Sequence, residues 1–244
     1  MGTGRGGDVY DDDVIAAYLS HRHAGTSSPN TVMEEPAFLD ELGTVRGARV
    51  LDLGCGDGTF ASQVLDLGAA TYLGIDGSAA MIDVALRSDP SPGASFEVGD
   101  IEDLSTPAAA FDVVTSRMAL HHVADLTSVL RAIRRTLVPG GRLVFSVVHP
   151  VITCHLEPPA TGRRSSWVVD DYFVPGPRTR PWFGREVTWH HRTVEQHVTA
   201  LAASGLALTS LRECEPDAAL LADEPDELAR RRRVPLVLLL AATR

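Results

Sequence analysis

The stretch from Val50 to Phe60, Val-Leu-Asp-Leu-Gly-Cys-Gly-Asp-Gly-Thr-Phe, restricts this chain more than any other. An apolar run closes on Asp52, and Gly54, Gly56 and Gly58 follow at alternate positions. A helical pattern then runs from about Thr59 to Leu67. A short continuous apolar run before such a turn reads as a strand buried on both faces, the kind found in parallel sheets covered by helices. Glycine reaches backbone angles closed to other residues and leaves bare backbone against which a ligand can lie. The amides of the turn and of the helix start therefore face a bound small molecule.

From Arg49 the chain alternates strand and helix. Strands are expected at Val50–Leu53, Thr71–Ile75, Ser95–Val98, Phe111–Thr115 and Arg142–Val148, and helices at about Thr59–Leu67, Ser78–Arg87 and Leu126–Leu137. This alternation calls for an α/β fold, a doubly wound, mostly parallel sheet with helices on both faces. Pro139-Gly140-Gly141 reads as a stop between the last of these helices and its strand. The chain then returns to the sheet through a helix, Val194–Ser204, and strands at Ala207–Leu211 and Val234–Leu240. Thr193 and Gln196 form a capping-box pattern at that helix start. Ahead of the core, a short helix fits Asp11–Leu19, a loop His21–Thr31, and a second helix a start near Glu35, because Pro36 is tolerated only in a first turn. The division expected is 1–45 as a helical cap, 46–150 as the core, 151–192 as an insertion and 193–244 as completion of the sheet.

Composition narrows the function. The 244 residues suit one domain with an insertion, and the net charge of −10 disfavours a nucleic-acid substrate. All 22 basic residues are Arg, which reads as codon bias. No apolar run reaches the roughly 18 residues of a membrane span, and the N-terminus lacks a signal-peptide core, so a cytoplasmic protein away from membranes is expected. The three cysteines, Cys55, Cys154 and Cys214, form neither a zinc pattern nor a disulfide framework, and no paired ligand spacing suggests a metal. Oligomeric state is left open.

The glycine spacing fails the dinucleotide fingerprint, because Thr59 stands where that pattern needs its third glycine. A nicotinamide-dependent oxidoreductase is disfavoured on that ground. The strand ends carry their own chemistry. Tyr72-Leu73-Gly74-Ile75-Asp76 places a carboxylate 24 residues after Asp52, suited to accepting from both ribose hydroxyls of a nucleoside. Gly77 and Ser78 then open a helix whose Met81 can pack on an adenine face. Gly99-Asp100-Ile101 offers a carboxylate for the adenine amino group and an amide for a ring nitrogen. Beyond the fourth strand come Arg117, Met118, His121 and His122, outside the carboxyl ends of the strands where such sheets bind ligands. Asp112, at that strand's start, reads as structural.

The spacing Asp52-x-Gly54-x-Gly56-x-Gly58, followed by Asp76 and Asp100 in order, resembles class I S-adenosylmethionine (SAM)-dependent methyltransferases. The resemblance covers residues 45 to 150 in detail. Ser146-Val147-Val148-His149-Pro150 is similar to the fifth-strand sequence of bacterial small-molecule, natural-product methyltransferases. It implies a Rossmann-like sheet with an antiparallel last strand, SAM as cofactor and a small-molecule acceptor. It implies cofactor contacts at Asp52, Gly54, Cys55, Gly56, Asp76, Gly77, Met81, Asp100, Ile101, Arg117 and Met118. It also implies that N-terminal helices cross the cofactor, making Tyr18, Arg22 and Asn30 candidates to close over it, Arg22 on the methionine carboxylate.

Methyl transfer is an in-line displacement that needs positioning and a dry site, and a general base helps a hydroxyl or protonated amine. Histidine suits that task near neutrality. His122 is the first candidate by its place beyond the fourth strand and His149 the second, beyond the fifth. His191, His190 and His155 could enter from the insertion, while His121 could lie beneath the cofactor. Residues 151–192 lack helical periodicity and hold Trp167, Trp182 and Trp189 with Tyr172, Phe173 and Phe183, and read as a lid whose aromatics wall the acceptor pocket. Its arginines, Arg163, Arg164, Arg178, Arg180, Arg185 and Arg192, favour an anionic or strongly polar acceptor. Oxygen is the expected nucleophile ahead of nitrogen or carbon. The alternative is a SAM-binding protein that transfers no methyl group.

Overall fold

A computed structural model describes residues 15, 19, 28–88, 91–156, 164, 166–182 and 184–244. The expected helix at Asp11–Leu19 and the candidates Tyr18 and Arg22 lie outside the described residues, except that Ile15 and Leu19 are helical. After a π-helical turn at Asn30–Glu34 comes α1 (Glu35–Leu42), with Pro36 in its first turn and Gly43 ending it at φ 57°. The core follows as β1 (Arg49–Leu53), α2 (Phe60–Asp66), β2 (Thr71–Asp76), α3 (Ala79–Arg87), β3 (Ala94–Val98), β4 (Phe111–Arg117), α4 (Leu126–Thr136) and β5 (Leu137–Val148). One short turn, α5 (Pro150–Thr153), leads to β6 (Gly176–Trp182) and β7 (Arg185–His191). The chain ends with α6 (Val194–Ser204), β8 (Ala207–Glu213), α7 (Pro225–Arg231) and β9 (Val237–Thr243).

Seven strands form one sheet in the order β3-β2-β1-β4-β5-β9-β8. β9 runs antiparallel to both its neighbours and the other pairings are parallel. Strand alternation decides which side chains meet which helices. In β9, Val237, Leu239 and Ala241 join the core under α1, α2 and α3, while Leu238, Leu240 and Ala242 join the core under α4 and α6. Both faces are thereby apolar, which is why these strands read as continuous hydrophobic runs. The strand order reverses at β1, which lies between β2 and β4, and that is the switch point at which a doubly wound sheet opens a ligand crevice.

Three expectations change. Pro139-Gly140-Gly141 does not separate α4 from a strand: Leu137, fully buried, already pairs with Phe111, and the register shifts before Val113 meets Arg142. Gly140, at φ 77°, lets the chain loop out and rejoin β5. The last strand begins at Val237, three residues later than the sequence suggests. Within 151–192 the described residues include regular structure, because β6 and β7 form an antiparallel hairpin. Val187, Trp189 and His191 of β7 point inward at every second position. Pro177 and Pro181 of β6 are exposed, at positions where a strand beside a single partner tolerates a residue with no N–H. The capping box at Thr193 and Gln196 closes as read, with both of its hydrogen bonds present.

Candidate active site

Four strand ends converge at the switch point. The amides of Gly54 and Cys55 both donate to the carbonyl of Ile75, at 2.8 and 3.1 Å, folding the glycine turn over the end of β2. Gly54, Gly56 and Gly58 take φ of 77°, 57° and 75°, a region that side chains rarely adopt. A Cβ on Gly54 would stand 2.4 Å from that of Ala119 and 3.7 Å from Cδ1 of Ile101, so this turn touches the loops after β4 and β3. The Gly99 amide ties the end of β3 to the Asp76 carbonyl at 2.9 Å.

Asp76 is the hinge of this arrangement. Its Oδ2 accepts from the Gly56 amide and its Oδ1 from the Ser78 amide, both at 2.9 Å. Burial pushes its pKa up, and the two amides pull it back. A carboxylate has about four acceptor positions, so two stay available. Gly77 beside it is exposed, and Met81 is buried in the first turn of α3 with its amide donating to Ser78 Oγ. Asp100 Oδ1 accepts from the Glu102 amide at 2.9 Å, starting the turn that carries Ile101.

Asp52 is engaged within the sheet. It is 2% exposed, and its two oxygens accept from Tyr72 Oη at 2.6 Å and Thr115 Oγ1 at 2.7 Å. Burial raises its pKa against those two bonds. It ties β1 to β2 and β4 beneath the glycine turn. Cys55 is likewise buried, its thiol pushed up by burial and by Asp52 and Asp76, and it fills the space that Gly74 leaves open.

Arg117 is engaged by the N-terminal helical segment. Its Nη2 meets Glu34 Oε2 at 2.5 Å and Glu35 Oε2 at 3.2 Å. Its guanidinium lies 4.6 Å from the Phe60 ring centroid and 5.4 Å from that of Phe38. Burial alone would lower its pKa, but the two carboxylates more than reverse that. Ser146 Oγ donates to Glu34 Oε1 at 2.8 Å. The cluster pins the N-terminal helical segment across the ends of β4 and β5. Glu34 was not singled out from the sequence; its signal is an acid inside the apolar run Val32-Met33-Glu34. Met118 follows at φ 53°, its amide held by the carbonyl and Oγ of Ser146 at 3.0 and 3.1 Å.

The candidate bases separate by their partners. His149 Nδ1 accepts from the Val151 amide at 3.2 Å, and Nε2 lies 3.0 Å from Glu213 Oε1. His191 Nδ1 meets Thr153 Oγ1 at 2.7 Å, and Nε2 the Tyr172 carbonyl at 2.9 Å. Both imidazoles are buried with both nitrogens engaged, so neither has an atom ready for an acceptor's proton; they fasten α5 and the hairpin. Of the candidates, His122 has a buried Nδ1 with no hydrogen-bond partner among the described residues, a state that the Nδ1 atoms of His121 and His197 share. Burial lowers the His122 pKa to about 4, against a hydrogen bond with the Thr188 backbone. His121 and His197 are buried and also kept neutral, His121 well below its ordinary value and His197 at about 3.

The hairpin closes this side. Val187, Trp189 and Trp182 pack with Val148, Ile152, Leu156 and Met118. The Trp189 ring stands edge-on to His121 at 5.1 Å and to His122 at 6.5 Å between centroids. Arg192 Nη2 donates to the carbonyls of Val123 and Ala124, at 2.6 and 2.7 Å, and fastens the end of β7 to the loop after His122. Trp167 is half-buried with the Arg233 guanidinium 5.6 Å from its ring centroid, and Phe173 is 85% exposed.

The comparisons decide the family. The family described as "Methyltransferase domain" matches residues 51–145. A solved S-adenosylmethionine-dependent methyltransferase from Mesorhizobium loti superposes with a TM-score of 0.80 at 36% identity, over 90% of this chain and 100% of that one. This chain belongs to the class I SAM-dependent methyltransferases. An uncharacterized Haemophilus influenzae protein is 30% identical to this methyltransferase over 228 residues, 89% of this chain and 88% of the other. The ubiquinone biosynthesis O-methyltransferase of Pseudomonas syringae is 40% identical over 115 residues, so the match spans 46% of this chain and 49% of that enzyme. The glycine turn of bare backbone, with the Asp76 carboxylate at its mouth, fits a SAM nucleoside. Among the described residues, no helix is long and apolar enough to cross a membrane.

Proposed function

We propose that this methyltransferase acts on a hydroxyl group of a small molecule, of the natural-product class, in the cytoplasm. In this reading Asp76 accepts from the ribose hydroxyls, while Asp100 and the Ile101 amide hold the adenine against Met81. The turn Gly54-Cys55-Gly56 lies along the methionine part, with Gly77 and Met118 beside the nucleoside, and Tyr18 and Arg22, outside the described residues, are its further candidate contacts. Asp52 and Arg117 position these groups from below. SAM supplies an electrophilic methyl group on a sulfonium.

The unpartnered Nδ1 of His122, together with that residue's place just beyond β4, carries the reading of the chemistry. It belongs to a neutral imidazole one short turn beyond Met118, behind Trp189. A neutral imidazole accepts a hydrogen bond from a hydroxyl and so aims one of its lone pairs. Trp189 and the hairpin keep water away, which strengthens that hydrogen bond. The relationship to a protein named for O-methylation supports oxygen as the nucleophile. The net charge of −10 supports a small molecule over a nucleic acid.

The test measures S-adenosylhomocysteine release with a panel of hydroxylated acceptors, for the wild type and His122→Ala. Turnover is expected to fall about 10²- to 10⁴-fold with SAM affinity unchanged. Equal turnover by the variant would refute the role of His122, and no release with any acceptor would favour a protein that binds SAM without using it.

A further inference from the structure

Arg180 lies on β6, and among the described residues no acid pairs with it. Its cross-strand partner is Val187, and Val187 and Trp189 point into the molecule, so Arg180 shares the hairpin's inner face. Its guanidinium carbon is 5.0 Å from the Trp182 ring centroid and 4.9 Å from that of Trp189. Neighbouring arginines have partners. Arg178 donates to the carbonyls of Val174 and Pro177, Arg192 to those of Val123 and Ala124, and Arg117 pairs with Glu34. Among the described residues, no carboxylate lies within ion-pair distance of Arg180, and none of its five N–H groups finds an acceptor.

This position is costly without a counter-ion. Arg180 is only partly exposed, and burial together with the nearby charge of Arg164 disfavours its cation. Two indole faces offset part of that cost but offer no hydrogen-bond acceptors. The same Trp189 ring touches Arg180 and, at its other contacts, His121 and His122. Trp182 and Trp189 also pack with Met118 at the end of β4. Arg180 and His122 thus share one neighbour, the Trp189 ring, with the guanidinium carbon 4.9 Å and the imidazole centroid 6.5 Å from its centroid.

We propose that Arg180 binds an anionic oxygen group, a carboxylate or a phosphate, on the methyl acceptor. The proposal rests on the acceptor side of the site lying between His122 and the hairpin. The acceptor then carries two recognised groups: a hydroxyl at His122 and an anion at Arg180. A guanidinium meets either anion with a fork of donors.

The probes are benzoate, phenyl phosphate and the neutral benzyl alcohol, titrated into protein saturated with S-adenosylhomocysteine. The readout is tryptophan fluorescence, since Trp182 and Trp189 flank the guanidinium. At least one anion is expected to saturate with an affinity roughly tenfold above benzyl alcohol, the tighter anion naming the group. Arg180→Gln should remove that preference, while Arg185→Gln, which deletes an exposed charge from the same hairpin, should keep it. Equal binding of all three probes, no saturable signal with any, or equal loss in both variants would overturn the proposal. Calorimetry with S-adenosylhomocysteine reports separately on the cofactor site and on folding of the variants. Wild-type protein that fails there refutes the cofactor reading, whereas the comparison of probes on wild-type protein tests Arg180 even if Arg180→Gln does not fold.

Discussion

Arg117 and Glu34 illustrate how one pair can hold two parts of a fold together. Glu34 is 1% exposed at its side chain and Arg117 13%, so deleting either partner strands a charge away from water. Arg117→Ala should cost about 3–5 kcal/mol in urea unfolding, and Arg117→Met with Glu34→Gln should recover part of that loss. At Asp76, the alanine variant should weaken SAM binding by roughly ten- to a hundredfold in calorimetry, the size expected for lost hydrogen bonds to a charged group. Unchanged affinity would remove Asp76 from the cofactor site. The buried histidines make a pH prediction. His121, His122 and His197 have pKa values lowered below 6.5 by burial, so the unfolded chain binds more protons beneath that pH. Their neutral burial stabilises the fold fully above about pH 6.5 and is lost as pH falls toward the folded values. Asp52 and Asp76, whose pKa values are raised, act in the opposite sense. His121→Phe preserves an edge contact with Trp189 and should flatten the slope of stability against pH, between about 5 and 6, by about 1.4 kcal/mol per unit.

The glycine turn is the element with least tolerance. Gly54→Ala demands both a positive φ and space already held by Ala119, so either the turn or the loop after β4 must shift. Loss of SAM binding is expected with a stability cost of about 1–3 kcal/mol, measured by calorimetry and thermal unfolding. The turn was legible because its glycines mark φ values that the fold needs. The β6–β7 hairpin was not. Pro177, Pro181 and two arginines, Arg178 and Arg180, interrupt β6, and its alternation shows only when Val187 and Trp189 are seen to face Val148 and Met118. The same holds for the Pro139-Gly140-Gly141 loop. Its residues signal a break, but the pairing of Leu137 with Phe111 places that break inside a strand.

Across the whole molecule, β9 joins the parallel half of the sheet to β8 and contributes alternate residues to both cores. Six of its seven residues are buried, the pattern of a central strand. A chain ending at Pro235 should therefore lose cooperative unfolding, seen as loss of the near-ultraviolet circular dichroism transition, because β5 and β8 would each keep an unpaired edge.

What the amino-acid sequence determined alone was the periodic part: a doubly wound sheet, the order of its strands and helices, the glycine turn, and the acids Asp76 and Asp100 at strand ends. Those follow from local rules, since side-chain period and backbone angles depend on neighbours in the chain. Tertiary structure decided which groups have partners. Asp52 accepts from Tyr72 and Thr115, Arg117 pairs with Glu34, and His149 and His191 are engaged at both nitrogens, while His122 Nδ1 has no partner among the described residues. A hydrogen bond between residues far apart in sequence leaves no mark on either one's neighbours, so availability for chemistry becomes visible only when the chain is folded.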